Sequence, residues 1–474
     1  MENILEKAYS ANDFRTYGHQ LIDILADYLQ DIQSAENPLT IRWEDPGSQL
    51  KFWQNDFNSP LLNIPGSLVK NILDRSIHLH SRRAMGHQVS PPMPVGILFS
   101  MLNSFLNNGS AVYEMGMTSN VLEKIVTENL AQKLGYEKDA SGFITSGGSL
   151  GNLTALLAAR ARATSVWNAG YSSDEKLAVM VSGEAHYSID RAVRIMGLGA
   201  GGIIKIPANE KFQMDTGLLN KYLEIALAEG KKVFCIVGSA CSTSTGSYDN
   251  LEDIAAFATK HKIWFHVDGA HGAAVTYSPK FKHLIGGIEK ADSVIIDFHK
   301  MMLCPALSTA VIFKRRADSY KTFLQQARYL FAEQDTEEWY HSGKRTVECT
   351  KHMNILAIYS VMRMYGDDIF MQNVETLFDL AIEFAVLIKS NEKFELAYEP
   401  QSNIVCFRYL DGENTDSTNQ QILKYLLEDG RFYIVSTVIN RKFYLRVSIM
   451  NPLTTSEDLM DLIHIIPAKS LSHE

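Results

Sequence analysis

The strongest constraint on the fold is an alternation of short apolar runs with helical segments between about residues 140 and 315. The apolar runs cover residues 177–183, 201–208, 232–239, 262–270, 292–298 and 308–315. Helical patterns separate them, as at 150–163 and 250–261. Apolar strands that alternate with helices predict an α/β fold in which both faces of a mainly parallel sheet are covered. Ligands of such sheets bind beyond the carboxyl ends of the strands.

The N-terminal region has a helical pattern of its own. Residues 14–32 place Tyr17, Leu21, Leu25 and Leu29 on one apolar stripe, which another domain or another subunit must cover. The prolines and glycines that follow, from Pro46 to Gly66, predict an interruption of regular structure. We therefore expect an N-terminal helical layer.

The region after about residue 355 changes character again. A helical stretch is followed by the apolar runs "IVCFRYL" and "FYLRVSIMN", with helices between and after them. This order predicts a small C-terminal α+β domain. The expected division is thus an N-terminal segment 1–80, a large domain 81–355 and a small domain 356–474.

Charge and cysteine content narrow the classes of partner. The formal net charge is −9 and no basic block occurs, which argues against a nucleic-acid or anionic-membrane partner. The five cysteines form no CxxC pair, which argues against a disulfide framework or a zinc site. Because there is no basic segment before an apolar core at the start and no run of about 18 apolar residues, we expect a cytoplasmic protein.

A glycine- and serine-rich turn, "TSGGS" at 145–149, lies between a short apolar run and an amphipathic helix. Glycines allow close approach of the backbone, and a helix N-terminus offers unpaired N–H groups, so the turn suits a phosphate. It matches neither the Walker A pattern nor GxGxxG. A turn that caps a helix without any ligand is the alternative.

Two further residues lie at the carboxyl ends of predicted strands. Asp268 in "HVDGAHG" can pair with a cationic ring nitrogen, and Ala270 leaves room for a flat ring; capping or metal binding by the carboxylate is the alternative. Lys300 in "DFHKMM" can form an imine with an aldehyde if burial lowers the pKa of its amine; a solvated charge is the alternative. The three elements in this order are the set needed to hold pyridoxal 5′-phosphate.

The chain resembles the group II pyridoxal-phosphate-dependent decarboxylases, which act on glutamate, cysteine sulfinate, aspartate or aromatic amino acids. The resemblance extends from "FRTYGHQLIDILADYL" to "FYLRVSIMNP" and is most specific in "TSGGSLGNLTALLAAR", "HVDGAHGA", "GIEKADSV" and "HKMM". It implies a fold type I enzyme, like aspartate aminotransferase, with a seven-stranded sheet. It also implies a homodimer whose active site lies between subunits.

The resemblance implies roles for individual residues. Lys300 would bond to the cofactor aldehyde, Asp268 would pair with the pyridinium nitrogen, and His186 in "GEAHYS" would stack on the ring. By position alone, His186 could equally be a helix cap or a core histidine. The remaining cofactor contacts would be His299 and the phosphate turn, together with a threonine: His299, Gly148, Ser149 and Thr243.

Other matches concern the substrate. Arg446 matches an arginine that binds the substrate α-carboxylate, and Gln88 matches a substrate-contacting glutamine. Tyr329 in "QARYLFAEQD" matches a tyrosine that protonates the substrate carbon, although the cluster could also be part of a core helix. At the positions where glutamate-type enzymes carry an asparagine and a phenylalanine that contact the substrate side chain, this chain has Gly109 and Ala111.

The expected function is therefore an L-amino acid α-decarboxylase of the glutamate, cysteine sulfinate and aspartate branch, which releases carbon dioxide and an amine. The alternatives on the same cofactor are an aromatic or diamino acid decarboxylase, a decarboxylating aldehyde synthase or a carbon–carbon lyase. A non-enzymatic relative is a third reading, and Lys300, Asp268 and His186 argue against it.

Overall fold

The computed structural model describes residues 4–34, 39–59, 66–172, 175–323 and 338–466. The chain divides into two compact units. The first comprises Met1–His87, Ile382–Glu399 and Val405–Glu474, and the second comprises Gln88–Ala381 and Pro400–Ile404. The division of the sequence into 1–80, 81–355 and 356–474 stays a prediction.

Fifteen helices and eleven strands lie in the described part of the chain. The helices are α1 Ile4–Ala8, α2 Ala11–Gln33, α3 Pro46–Phe57, α4 Gly66–Asp74, α5 Pro94–Leu106, α6 Tyr113–Lys133, α7 Gly148–Ala163, α8 Val166–Ala169, α9 Tyr187–Ile195, α10 Leu219–Ala228, α11 Leu251–His261, α12 Ile355–Tyr365, α13 Asp368–Lys389, α14 Thr415–Asp429 and α15 Ser456–Ile465. The strands are β1 Ser141–Thr145, β2 Lys176–Ser182, β3 Ile203–Ile206, β4 Lys231–Ser239, β5 Trp264–Asp268, β6 Ser293–Asp297, β7 Thr309–Phe313, β8 Phe394–Leu396, β9 Ile404–Tyr409, β10 Val435–Ile439 and β11 Lys442–Ser448.

Strands β1 to β7 form one seven-stranded sheet in the order β1-β7-β6-β5-β4-β2-β3. Strand β7 is antiparallel to both of its neighbours, and the pairs from β6 to β3 are parallel. The predicted α/β fold with a mainly parallel seven-stranded sheet is confirmed. The carboxyl ends of β4, β5 and β6 therefore meet at one edge of the sheet, with Ser239 paired in register with Asp268.

The core of the second unit consists of the β-branched residues of these strands and the apolar face of α7. Val179, Val181 and Val237 are fully buried, and Leu156 of α7 packs in the same cluster. Both faces of the central strands are covered, because residues of alternate orientation are equally buried along β2 and β4. This packing fixes the strand ends and thereby the side chains that follow them.

The second, smaller sheet has the strand order β10-β11-β9-β8. The hairpin of β10 and β11 is antiparallel and pairs Val435 with Arg446. Helix α14 buries Ile422 and Leu426, and α15 buries Leu459 and Leu462. A small C-terminal α+β arrangement is thus present, as predicted.

The predicted interruption after Pro46 is wrong for residues 46–57, which form α3. Asp45 caps this helix by accepting hydrogen bonds from the N–H groups of Gly47 and Ser48, at 2.9 and 3.0 Å. Pro46 occupies the first helical position, where its missing N–H costs nothing and its fixed φ favours the helix. An Asp-Pro pair here begins a helix and does not break one.

Helix α5 has an unusual surface for a folded chain. Its side chains are apolar almost all round, and seven of them are at least 38% exposed: Ile97, Leu98, Phe99, Met101, Leu102, Phe105 and Leu106. None of the helices in the described ranges is long and apolar enough to cross a membrane. Exposed apolar patches are typical of contact surfaces in folded proteins.

Candidate active site

A cavity of about 310 Å³ lies in the second unit at the carboxyl ends of β4, β5 and β6. These strands end at Ser239, Asp268 and Asp297, and all three residues line it. The turn between β1 and α7 closes another side. Its volume lies at the lower end of the usual range for ligand pockets, about 300–1000 Å³.

The cavity brings together eight of the residues that the sequence singled out. They are Lys300, Asp268, His186, His299, Ala270, Gly148, Ser149 and Thr243. Gln88 is buried in the same unit but does not line the cavity, and its Nε2 has no hydrogen-bond partner among the described residues. Arg446 belongs to the first unit, on β11, where it donates to Ser448 Oγ at 3.2 Å. Tyr329 lies outside the described residues.

The turn before α7 has the backbone of an anion site. Gly147, at the N-cap, has φ +109°, which favours glycine, and no side chain caps the helix. A Cβ on Gly148 would meet both carboxylate oxygens of Asp297 at 3.3 Å, so the turn runs close to that strand end. Because Gly147, Gly148 and Ser149 line the cavity, the start of α7 lies there with the positive end of its helix dipole.

Lys300 forms an ion pair with Asp297, with 3.1 Å between Nζ and Oδ2. Burial alone would lower the pKa of the Lys300 amine, but the carboxylates of Asp297 and Asp268 outweigh it and raise that pKa above its ordinary value. The expectation of an amine with a lowered pKa is therefore wrong for this pocket. Lys300 rests as an ammonium, and its reaction with an aldehyde requires loss of one proton.

Asp297 is held from two further sides. Its Oδ1 accepts a hydrogen bond of 2.5 Å from Thr309 Oγ1 on the neighbouring strand, and His299 Nε2 lies 3.6 Å from its Oδ2. The ring of His299 is fixed by the Ser308 N–H, which donates to Nδ1 at 3.1 Å. The carboxylate thus links the lysine and the histidine that the sequence placed at the cofactor.

His186 is the N-cap of α9 and lies half-buried at the cavity wall. Its Nδ1 accepts from the backbone N–H of Ser188 at 3.3 Å and lies 2.8 Å from Ser188 Oγ. Burial lowers the pKa of His186, and Lys300 adds to this, whereas Asp268 and Asp297 oppose it. The ring is therefore neutral near pH 7, a state in which a flat aromatic ring can stack on it.

Asp268 ends β5 and is 8% exposed. Its Oδ2 accepts a hydrogen bond of 2.9 Å from Asn152 Nδ2, and its Oδ1 accepts from the Ala270 N–H at 3.3 Å. Hydrogen bonds to a buried carboxylate stabilise its charged form. The buried carboxylate is thus held in the cavity wall by two hydrogen bonds.

Sequence reasoning missed two side chains that support this carboxylate. Asn152 lies inside the motif "TSGGSLGN" but has no signal of its own there, and His266 in "WFHVD" is indistinguishable from an ordinary strand residue. They are 1% and 0% exposed, and His266 Nε2 lies 2.9 Å from Asn152 Oδ1. Polar residues buried this completely are retained only with hydrogen bonds.

His266 makes stability depend on pH. Burial lowers the pKa of its imidazole from 6.5 to about 4, although Asp268 opposes the shift. Between these values the unfolded chain binds a proton that the folded chain excludes, so the free energy of unfolding should fall as the pH drops from about 6.5 to 4. The contribution is on the order of 3 kcal/mol. Thermal unfolding midpoints measured across this pH range, for wild type and His266→Gln, test it: the variant should lose less stability on acidification, and parallel curves would contradict the assignment.

Comparison with known proteins identifies the chain. A family model described as the pyridoxal-dependent decarboxylase conserved domain matches residues 72–410, which is more than half of the sequence. The chain belongs to this family. It is accordingly a pyridoxal-phosphate-dependent carboxy-lyase, as the resemblance implied.

Individual relatives of this decarboxylase cover almost its whole length. An aromatic-L-amino-acid decarboxylase of Bacillus atrophaeus is 26% identical over 97% of this chain and 96% of its own. An L-2,4-diaminobutyrate decarboxylase of Acinetobacter baumannii is 27% identical over 85% of this chain and 82% of its own. The crystal structure of Oryza sativa TDC with PLP and tryptamine has a TM-score of 0.88 at 21% identity, over 97% of this chain and 98% of that one. The last similarity shows the shared fold.

The residues of the cavity fit the family's cofactor. An aldehyde needs an amine, which Lys300 offers; a pyridine nitrogen needs a carboxylate, which Asp268 offers. A phosphate needs N–H donors and no Cβ in its way, which the uncapped start of α7 at Gly147 and Gly148 provides. The donor set is therefore that of a pyridoxal 5′-phosphate site.

Proposed function

We propose that this decarboxylase removes the α-carboxyl group of an L-amino acid and releases carbon dioxide and an amine, as in the glutamate, cysteine sulfinate and aspartate branch of the family. The observation that carries the proposal is the single cavity that contains the Lys300 amine, the Asp268 carboxylate and the uncapped start of α7. Amine, carboxylate and phosphate site are the three groups that the cofactor requires.

Within this proposal, each residue of the cavity has one task. Pyridoxal 5′-phosphate supplies an electron sink for the electron pair left when carbon dioxide departs. Lys300 holds the cofactor covalently and Asp268 keeps a proton on the ring nitrogen. His186 covers the ring, while Ser149 and His299 hold the phosphate. Thr243 and Ala270 complete the wall around the ring.

Orientation of the substrate decides which bond breaks. We assign binding of the substrate α-carboxylate to Arg446 and a further substrate contact to Gln88. The buried Nε2 of Gln88 is a donor without a hydrogen-bond partner among the described residues. An arginine binds a carboxylate with two parallel hydrogen bonds, which fixes its direction. Tyr329 is assigned the transfer of a proton to the substrate carbon, so that an amine forms and not an aldehyde.

A panel of L-amino acids tests the substrate class. Acidic, aromatic and diamino acids are included, because the relatives named above are aromatic-L-amino-acid and L-2,4-diaminobutyrate decarboxylases. Carbon dioxide, amine and aldehyde are quantified for each substrate. We expect carbon dioxide and amine in equal amounts with an acidic substrate. Preference for an aromatic or diamino acid would move the enzyme to the alternative branch, and no carbon dioxide from any substrate would contradict the proposal.

We further propose a homodimer with the active site at the subunit interface, and a cytosolic location. The exposed apolar face of α5 supports the dimer, because burial of about 25 cal/mol per Å² of such surface is the main force of association. Leu21 and Ile22 of α2 and Met115 and Met117 of α6 add exposed apolar surface. The cytosolic location is supported by the five cysteines, all of which lie in the described ranges and none of which forms a disulfide there.

A double substitution on α5 should split the dimer. Leu98→Glu with Leu102→Glu places two charges on the apolar face, and desolvating them on association is unfavourable. We expect light scattering to show a monomer with strongly reduced carbon dioxide release. Leu227→Glu on α10 is the matched control, since Leu227 is also exposed and should leave the dimer intact. A fully active wild-type monomer would contradict the dimer.

A further inference from the structure

A chain of buried side-chain hydrogen bonds ends at the carboxylate of Asp268. The Trp264 indole Nε1 lies 2.9 Å from Ser293 Oγ, which lies 2.9 Å from His266 Nδ1. His266 Nε2 lies 2.9 Å from Asn152 Oδ1, and Asn152 Nδ2 lies 2.9 Å from Asp268 Oδ2. None of the first four side chains is more than 4% exposed, so water does not compete for these bonds.

All donors in this series of hydrogen bonds point toward Asp268. A carboxylate only accepts, so Asn152 donates through Nδ2 and presents Oδ1, an acceptor, to His266. His266 must then carry its proton on Nε2. The other tautomer would carry the proton on Nδ1, which lies 3.2 Å from the Ser293 carbonyl oxygen. Nε2 and Asn152 Oδ1 would then be two acceptors only 2.9 Å apart. Nδ1 of the neutral ring accepts from the Ser293 hydroxyl, which accepts from the Trp264 indole N–H.

The same asparagine also reaches the other wall of the cavity. Its Nδ2 lies 2.9 Å from Ser188 Oγ, and that oxygen lies 2.8 Å from His186 Nδ1. Because Nδ1 of His186 already accepts from a backbone N–H, the Ser188 hydroxyl donates to it and accepts from Asn152. One amide on α7 thus fixes the orientation of both Asp268 and His186.

We propose that Asn152 and His266 are positioning residues that hold the Asp268 carboxylate in the direction from which it accepts a hydrogen bond from the protonated ring nitrogen of the cofactor. This inference rests on the cofactor assignment above. It adds to that assignment a hydrogen-bond chain from Trp264 to Asn152, which we call the relay.

The physical reason is the orientation of the Asp268 carboxylate. A ring nitrogen keeps its proton when a negatively charged acceptor faces it at hydrogen-bond distance. Asn152 fixes the direction of the carboxylate through the hydrogen bond to Oδ2, and donors in series polarise one another. Without the relay the carboxylate turns away from the ring nitrogen, and the ring loses the positive charge that makes it an electron sink.

The test uses holoenzyme loaded with cofactor that carries ¹⁵N in the pyridine ring. In wild type we expect the ¹⁵N chemical shift of a protonated ring. In Asn152→Leu and His266→Phe we expect a shift toward the unprotonated ring, with kcat lower by about 10- to 100-fold and KM changed much less. His266→Gln can donate to Asn152 and accept from Ser293, and it should restore most of both signals.

Tyr136→Phe is the matched control. Tyr136 is also buried and donates one hydrogen bond, of 2.9 Å, to the Ala291 carbonyl, but it lies outside the relay. It should lower the thermal midpoint and leave the ¹⁵N shift unchanged. If Asn152→Leu or His266→Phe does not fold, Ser293→Ala is the alternative. It removes a donor that lies further along the relay from Asp268 and should give a smaller ¹⁵N shift in the same direction.

Two results separate failure of the relay from failure of the function. Relay variants that keep the wild-type ¹⁵N shift, whatever their activity, would overturn the positioning role while the cofactor assignment stands. A wild-type protein that binds no cofactor would overturn both.

Discussion

Replacement of Lys300 by alanine should lower carbon dioxide release by roughly 10³-fold or more, because the enzyme loses its covalent hold on the cofactor. Lys300 is the lysine of the cavity, and its Nζ lies 3.1 Å from Asp297 Oδ2. The variant should also lose the visible absorption of covalently bound cofactor. Carbon dioxide release under substrate saturation and the absorption spectrum are the two measurements.

Lys300→Arg is the matched control for this substitution. Arginine keeps the positive charge beside Asp297, so the fold and the ion pair are preserved, but its guanidinium does not form an imine. It should be as inactive as Lys300→Ala at an unchanged thermal midpoint. Retention of more than about a tenth of the wild-type rate in either variant would mean that another group holds the cofactor.

Asp268→Asn should lower kcat by about 10- to 1000-fold while most of the cofactor stays bound. A charged pair changes proton affinity by roughly 1–3 pKa units, and each unit is a factor of ten in the protonated population of the ring nitrogen. Binding depends mainly on Lys300 and the start of α7, which this substitution leaves intact. The measurements are kcat, KM and the molar ratio of cofactor to protein.

The control for Asp268→Asn is a buried carboxylate that does not line the cavity. Asp318 is 3% exposed and pairs with Arg315 at 2.8 Å and with Lys321 at 3.0 Å. Asp318→Asn should reduce stability and leave kcat within about twofold. Equal losses of kcat in the two variants would show that Asp268 acts through the fold and not through the ring.

Much of the site could be predicted because its residues follow strands. In an α/β sheet the carboxyl ends of parallel strands meet at one edge, so Asp268 at the end of β5 and Lys300 just after β6 had to be neighbours if the runs were strands. The glycines of the turn before α7 could be predicted for the same reason, since β1 lies in the same sheet. The local sequence thus predicts which residues lie at strand ends, and the rule that parallel strands end at one edge predicts that these residues lie close together.

The support behind Asp268 could not be predicted. Asn152 on α7 and His266 on β5 are more than a hundred positions apart, and their contact depends on how α7 packs over the sheet. The pKa of Lys300 was misjudged for a related reason, because its direction depends on a distance of 3.1 Å to Asp297. Helix α3 contradicts the predicted interruption because Asp45 caps the helix and Pro46 occupies its first turn.

Chemical trapping of the cofactor tests the central claim most directly. The purified protein is saturated with pyridoxal 5′-phosphate, reduced with borohydride, digested and analysed by peptide mass spectrometry. The account predicts one pyridoxyl group per chain, on Lys300, with loss of the visible band. A pyridoxyl group on a different lysine, or none after saturation, would contradict it.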